Sequence, residues 1–254
     1  MQDDLKLRGL SRKDRPAQVE EQFKLWQSGG RRTRHEPDHR TTRFITISRE
    51  YGCAGFRIAD RLAEILNSQT RDHQPPWTVY DRKLVDTVCR NHKLSRALVN
   101  SLDDQRKFAF GDYITGIFTG EPSTLQVFKK FAETIFQLAA RGRVILIGRG
   151  SCVITAHLSG GLHLRVVAPL DWRVRKVAGY EGLDDLKQCK RHVEKNDRER
   201  GRFVKDFMAA SLKDPHLYDL VCNQQRLGVD GITDLIMLTL KIRGKKSLPE
   251  LSAV

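Results

Sequence analysis

The sequence predicts an α/β fold built on an open parallel sheet, and three observations support that prediction. Strand-like apolar segments alternate with helical patterns from residue 43 onward. The run RVILIGRG (143–150) is almost continuously apolar up to its glycines, as is typical of a central parallel strand covered on both faces. The segment FITISREYGCAGFRIADRLAEIL (44–66) places a glycine-spaced turn between a strand and an amphipathic helix. Together these patterns favour a sheet with helices packed against it.

The first strand and the helix that follows it are the most clearly patterned elements. Arg43–Ser48 contains the β-branched and aromatic run Phe-Ile-Thr-Ile, which predicts a buried strand. After the turn, apolar residues recur at helical spacing at Ile58, Leu62, Ile65 and Leu66. The segment PPWTVYD (75–81) then predicts a short second strand that ends at Asp81.

Residues 83–140 contain helical patterns and no convincing strand, so we expect a helical insertion there. Strands resume in RVILIGRG (143–150), LHLRVVAP (162–169) and YDLVCN (218–223). A basic helical segment covers 184–210, and an apolar helix covers 231–242. We therefore expect one α/β domain over 43–254, preceded by a basic tail (1–42) that contains a short helix.

Composition and charge narrow the classes of function. The 254-residue chain has a net charge of +14, which indicates a polyanionic partner: nucleic acid, phosphorylated small molecules or an anionic surface. No apolar run approaches the roughly 18 residues of a membrane helix, and the charged N-terminus lacks the apolar core of a secretory signal. The five cysteines form no C-x-x-C pair, which argues against a zinc site or a disulfide framework. We expect a cytoplasmic protein without a membrane partner.

The turn REYGCAGFRIA (49–59) has the layout of a phosphate-binding loop but lacks its two characteristic side chains. The full pattern is G-x-x-x-x-G-K-[ST], in which the lysine neutralises phosphate oxygens and the hydroxyl binds Mg²⁺. Gly52 and Gly55 would let the backbone approach a phosphate beside the N-terminus of a helix. Such turns also serve only to pack a helix on a strand. The residues therefore leave two alternatives open, a phosphate site or a packing turn.

Two further segments place arginine where it could bind a phosphate. Arg149 follows a buried strand and stands between two glycines, so we expect its guanidinium at the carboxyl edge of the sheet, beside the first turn. The segment RHVEKNDRERGRFVKDF (191–207) carries Arg198 and Arg202 on one helical face and Arg200 toward another. A solvated charged helix is one interpretation of this segment. Its place before the last strand favours the mobile arginine-bearing lid of a nucleotide kinase.

These motifs, in this order, resemble the cytidylate kinase-like family of bacterial P-loop proteins. The resemblance runs from Phe44 to Ile242 and rests on ITISREYGCAGFRIADRLAEIL, VYDRKLV, IGRGS, EKNDRERGR and LYDLVCN. It implies a three-layer α/β fold of the P-loop NTPase or nucleotide kinase type, with a parallel sheet, a helical insertion and an arginine-rich lid. It also implies a kinase that uses ATP and Mg²⁺ to phosphorylate a pyrimidine nucleoside monophosphate such as CMP.

The resemblance implies roles for individual residues. The donor-phosphate loop would comprise Ser48, Arg49, Glu50, Gly52, Cys53, Ala54, Gly55, Phe56 and Arg57. The acceptor substrate would be bound by Asp81, Arg82 and Glu199. The residues expected to act in the transfer itself are Arg149, Arg198, Arg200 and Arg202. No residue is assigned as a ligand of Mg²⁺.

The sequence departs from cytidylate kinase at positions on which catalysis depends. Gly55 occupies the position of the loop lysine, Arg57 lies near that of the magnesium-binding hydroxyl, and Gly150 replaces an aspartate. We hypothesise that Arg57 or a lid arginine replaces the lysine. The main alternative is a nucleotide-binding sensor or regulatory module that has kept the fold and lost the chemistry.

Nucleotide substrates are the expected partners, and a homodimer is an open alternative to a monomer. A nucleic-acid-binding protein is the third hypothesis, because a charge of +14 would attract a polyanion. It ranks last, and no nucleic-acid partner is expected, because no helix-turn-helix, RNA-recognition or zinc pattern is visible.

Overall fold

Five parallel strands form the centre of the fold. The structure, a computed structural model, describes residues 19, 21, 22, 24, 25, 42–70, 74–90, 122–182 and 184–244. Its strands are β1 (Phe44–Arg49), β2 (Thr78–Tyr80), β3 (Val144–Ile147), β4 (Gly161–Val167) and β5 (Leu220–Asn223). They pair in the order β2-β3-β1-β4-β5, and every pairing is parallel. The predicted parallel α/β sheet is confirmed.

The described helices alternate with these strands. They are α1 (Gly55–Ser68), α2 (Arg82–Arg90), α3 (Pro122–Arg141), α4 (Ser151–Ile154), α5 (Leu170–Glu181), α6 (Leu186–Met208) and α7 (Gln224–Gly244). A 3₁₀ turn at Pro215–Leu217 precedes β5, and α7 contains a kink at Gly228. Of the predicted insertion, α2 and most of α3 are described, whereas residues 91–121 lie outside the described residues.

The side chains of β1 alternate between the two faces of the sheet, and helices cover both faces. Ile45 and Ile47 pack with Ile58 of α1 and Ile232 of α7. Phe44 belongs to the opposite core, where α3, α4 and the C-terminal part of α6 pack. The predicted three layers are therefore present in the described residues.

The register of the strands brings three turns to one edge of the sheet. Ile47 of β1 pairs with Ile147 at the end of β3, and Arg49 pairs with Val166 near the end of β4. The turns that follow β1, β3 and β4 therefore meet at the carboxyl edge, where open α/β sheets bind their ligands. This confirms the expectation that the turn after β3 lies beside the first turn.

Part of the N-terminal segment packs on the domain. Val19 is buried in the core of the α3 face, and Gln22 is fully buried. The Gln22 side chain donates to the carbonyls of Pro76 (2.9 Å) and Arg143 (3.0 Å), and it accepts from the Tyr80 hydroxyl (2.7 Å). Residues 19, 21, 22, 24 and 25 are helical.

None of the helices in the ranges given above has the combination of length and apolar character that a transmembrane helix needs.

Candidate functional site

The turn after β1 packs closely against its neighbours at both glycines. Gly52 has a left-handed backbone (φ 88°), and a Cβ here would lie 3.0 Å from both Arg173 Cβ and Val177 Cγ2 of α5. Gly55 begins α1 and lies against Arg49, whose Cγ and Cδ would each be 3.2 Å from a Cβ at position 55. Both glycines therefore serve close packing, which was one of the two alternatives that the sequence left open.

Two backbone N–H groups of this turn contact protein acceptors. The N–H of Tyr51 donates to Asp197 Oδ1 of α6 at 2.7 Å. The N–H of Ala54 donates to Gln224 Oε1, at the start of α7, at 2.8 Å. In a phosphate loop such groups surround the anion. Here side chains from two helices engage them and fix the turn in place.

A network of charged side chains lies behind the turn. The buried guanidinium of Arg173 lies 3.3 Å from Glu50 Oε2 through Nε, and its Nη1 donates to Asp197 Oδ2 at 2.6 Å and to the Tyr51 carbonyl at 2.9 Å. Arg165 approaches the other oxygen of Glu50 at 3.9 Å. Two carboxylates thus balance Arg173, so this arginine joins α5, α6 and the turn rather than facing a ligand with unpaired charge.

The turn after β3 has an unusual backbone. Gly148, Arg149 and Gly150 all have positive φ, at 71°, 56° and 66°. A left-handed conformation is uncommon for a non-glycine residue, and among the described residues Arg149 shares it with Arg143 and Ala209. The Arg149 guanidinium lies 5.2 Å from the ring centroid of Phe203 in α6. The same turn is covered by Met208, whose terminal atoms would overlap a Cβ at position 150.

Helix α6 covers both turns with one face. Its buried residues are Cys189, Val193, Val204 and Met208. On the same side, Arg200 donates from Nη1 to the Arg49 carbonyl at 3.2 Å and lies 5.0 Å from the ring centroid of Tyr51. The segment predicted to be a lid is therefore a continuous helix, and its inner face contacts the turn after β1.

Three of the residues predicted for the lid lie on the outer face of α6. Arg198 is 69% exposed and pairs with Glu194 at 4.0 Å, and Glu199 is 64% exposed and pairs with Lys195 at 3.9 Å. Arg202 is also exposed. The structure thus brings Arg200 to the site and leaves Arg198, Glu199 and Arg202 facing solvent.

Arg49, Arg149 and Arg200 place positive charge around the two turns. Among the described residues, none of the three guanidinium groups has a carboxylate within ion-pair distance. Burial, together with the charge of Arg200, lowers the pKa of Arg49 to about 10, and Asp81 partly opposes the shift. Burial also lowers the pKa of Arg200. Charge that is buried without a partner favours the binding of an anion.

The other predicted residues are distributed around this cluster. Asp81 follows β2 and accepts from the N–H of Leu84 at 2.8 Å, so it caps α2. Phe56, in the first turn of α1, is partly buried and packs against the core, and Arg57 beside it is half-buried. The side chain of Arg82 lies outside the described part of the structure.

Cys53 is not suited to act as a nucleophile. Burial and, to a smaller extent, the charge of Glu50 raise the pKa of its thiol to about 12. The thiol is therefore protonated at neutral pH, and a protonated thiol is a poor nucleophile. Among the described His, Cys, Asp and Glu side chains, no group of three is placed to hold a metal ion.

Sequence reasoning missed Arg165 as a residue of the site. Its Nη1 donates to Ser48 Oγ at 3.2 Å, and its guanidinium lies 5.7 Å from the ring centroid of Tyr218. The Tyr218 hydroxyl lies 3.3 Å from the same Ser48 oxygen. The alternation in LHLRVV was a usable signal, because it places Arg165 on the face opposite the buried Leu164 and Val166. Arg173 and Gln224 had no comparable local signal.

The five-stranded parallel sheet with its covering helices is consistent with a nucleotide kinase-like fold. The chain belongs to the cytidylate kinase-like family, since the sequence model of that family matches residues 44–226. The match includes both turns, α6 and β5.

Comparison with individual proteins adds support for the fold. A solved structure of an uncharacterized protein from Eubacterium ventriosum is similar, with a TM-score of 0.59 and 19% identity over 80% of this chain and 99% of that one. At this identity the likeness concerns the fold alone. No curated protein matches the sequence.

Proposed function

We propose that this protein is a nucleotide kinase-like phosphotransferase that moves the γ-phosphoryl group of ATP to a pyrimidine nucleoside monophosphate such as CMP. The observation that carries the proposal is the grouping of Arg49, Arg149 and Arg200 at the carboxyl edge of the central strands, with no carboxylate partner among the described residues. Phosphoryl transfer depends on positioning and on neutralising charge, and guanidinium groups supply both.

In the proposed reaction the acceptor phosphate enters as an anion, so the transfer needs no protein base. The bond between the γ-phosphorus and the β–γ bridging oxygen breaks, and the electron pair remains on that oxygen in ADP. A new bond forms between the acceptor oxygen and the γ-phosphorus, which gives a nucleoside diphosphate. Arg49 and Arg200 would face the donor phosphates, and Arg149 and Asp81 would face the acceptor.

The residues present fit the phosphates of ATP better than they fit a protein-held metal. Neither Phe56, which directly follows the lysine position, nor Arg57 beside it offers an oxygen ligand for the metal. In many phosphotransferases Mg²⁺ is held largely by substrate phosphates and water. We therefore propose that Mg²⁺ arrives with ATP and neutralises phosphate charge, and we assign it no ligand from this chain.

The test is a panel of nucleoside monophosphates incubated with purified protein, ATP and Mg²⁺, with ADP release as the readout. We expect turnover with at least one pyrimidine monophosphate and a decrease of about a hundredfold in kcat/KM for Arg149→Ala. Arg61→Ala is the matched control, because Arg61 is 52% exposed and pairs only loosely with Glu64 at 3.5 Å. Absence of ADP release with every member of the panel would contradict the proposal.

A second candidate function is a nucleotide-binding regulatory module without turnover. The observation that favours it is the engagement of Tyr51 N–H by Asp197 and of Ala54 N–H by Gln224, at a turn whose lysine position is Gly55. This function predicts saturable binding of a nucleotide in calorimetry together with no ADP release in the same preparation.

A further inference from the structure

The side chain of Arg49 occupies the space that a side chain at position 55 would need. Arg49 ends β1, and its stem crosses the first residue of α1. A Cβ on Gly55 would contact Arg49 Cγ and Cδ at 3.2 Å and Arg49 Cβ at 3.6 Å. A lysine stem at position 55 and the stem of Arg49 therefore compete for the same volume.

A second glycine, Gly148, leaves space for the guanidinium end of the Arg49 side chain. A Cβ on Gly148, in the turn after β3, would overlap Arg49 Nη1 and lie 3.3 Å from Arg49 Cζ. Gly55 and Gly148 thus form a slot that holds the stem at one end and the guanidinium at the other. The guanidinium is carried from the turn after β1 to the turn that contains Arg149.

The charge at the end of this slot has no carboxylate in contact with it. Among the described residues, the Arg49 guanidinium makes neither an ion pair nor a hydrogen bond. Burial and the charge of Arg200, which donates to the Arg49 carbonyl at 3.2 Å, lower the pKa of Arg49, and the charge of Asp81 opposes this effect. A buried cation next to a second cation is unfavourable unless an anion joins them. This arrangement resembles the electrostatics of a phosphate loop, in which one cation faces the donor phosphates.

We propose that Arg49 takes the place of the loop lysine, reaching the donor phosphates from the end of β1 rather than from the start of α1. Glycine at position 55 then has a structural reason, since the absence of a side chain there makes room for the stem of Arg49. The proposal rests on the proposed function, and it selects Arg49 over Arg57 and over the arginines of the outer face of α6.

The proposal can be tested by removing the charge at position 49 and introducing a lysine at position 55. Three variants are compared with wild type by calorimetric titration of ATP and by kcat/KM: Arg49→Ala, Gly55→Lys and the double variant. We expect Arg49→Ala to weaken ATP binding at least tenfold and to lower kcat/KM about a hundredfold. Gly55→Lys alone should lower kcat/KM, because the new lysine stem and the stem of Arg49 compete for the same volume. In the Arg49→Ala background the same lysine should recover at least tenfold of the lost kcat/KM.

Two comparisons keep the result interpretable. Arg49→Met keeps most of the stem and removes the charge, so it should keep or raise the melting temperature while losing ATP affinity. Arg61→Ala, at an exposed position of α1, is the control and should change ATP affinity less than threefold. Arg57→Ala should cost less ATP affinity than Arg49→Ala does. Wild-type protein without ATP binding or turnover would overturn the proposed function itself. Active wild type with an unimpaired Arg49→Met variant, or a double variant no better than Arg49→Ala, would overturn the role of Arg49.

Discussion

Asp197, in the middle of α6, accepts a hydrogen bond from the backbone N–H of Tyr51 at 2.7 Å. Its other carboxylate oxygen accepts from Arg173 Nη1 at 2.6 Å. One side chain therefore joins α6, α5 and the turn after β1. For α6 to open as a lid, both contacts would have to break, and an N–H group of the turn would become available to a ligand.

We expect Asp197→Ala to lower the free energy of unfolding by about 2–4 kcal/mol, because it leaves Arg173 with one carboxylate partner fewer and Tyr51 N–H unpaired. Chemical denaturation measures this loss, and hydrogen exchange at the Tyr51 amide should accelerate. Glu199→Ala is the control, since this exposed residue forms only a surface pair and should change stability by about 0.5 kcal/mol or less. Equal stability of the two variants would mean that Asp197 does not hold α6.

The inner and outer faces of α6 should differ in their effect on activity. Arg200 lies against Tyr51 and the Arg49 carbonyl, whereas Arg198 is exposed. We expect Arg200→Ala to lower kcat/KM about a hundredfold. Arg198→Ala should lower it less than fivefold. Steady-state kinetics on both variants give the two values of kcat/KM. A loss for Arg198→Ala that equals or exceeds the loss for Arg200→Ala would show that the outer face turns toward the substrates.

An aspartate at position 150, where cytidylate kinase has one and this chain has glycine, should destabilise the protein. The left-handed backbone of Gly150 (φ 66°) tolerates aspartate, but the terminal atoms of Met208 occupy the place of its Cβ. We expect Gly150→Asp to cost about 1–3 kcal/mol of stability. In a double-mutant cycle with Met208→Ala, the double variant should lose about 1 kcal/mol less stability than the two single losses add up to. Simple additivity would show that Met208 is not the obstacle.

The positions of the strands could be predicted because each depends on local composition. Phe44–Arg49 and Val144–Ile147 are β-branched and apolar, and both were predicted as strands. Their order in the sheet could not be predicted in the same way, because it depends on pairings such as Phe44 with Val144 between segments far apart in the chain. The predicted meeting of the two turns followed from the parallel direction of the strands alone.

The candidate site was predictable only in part for the same reason. Arg149 follows a strand end directly, so its place at the sheet edge follows from the sequence. The sequence also contains a signal for the inner face of α6, because Arg200 shares helical spacing with the apolar Val193 and Val204. The spacing of Arg198 and Arg202 instead marks the face that is exposed. The path of Arg49 over Gly55 and Gly148 depends on tertiary packing, and no local pattern encodes it.

The remaining prediction concerns pH and a half-buried histidine, His163, on the same face of β4 as Arg165. His163 Nδ1 lies 2.8 Å from Thr46 Oγ1, and the His163 backbone N–H donates to Asp219 Oδ2 at 2.7 Å. Burial lowers the pKa of His163, and this effect outweighs the opposing charge of Asp219. The folded-state pKa therefore lies below the unfolded value, so the unfolded chain binds the proton first as the pH falls.

We therefore expect the free energy of unfolding to decrease as the pH falls below about 6.5, the pKa of an unperturbed histidine. The contribution of His163 has a slope of at most about 1.4 kcal/mol per pH unit and ends once the pH passes below the folded-state pKa. Urea denaturation of wild type and His163→Gln between pH 7.5 and 5 isolates this contribution as the difference between the two curves. His216→Gln, at an exposed histidine, should follow the wild-type curve. If His163→Gln loses stability with falling pH as steeply as wild type does, His163 is not the group whose protonation opposes folding.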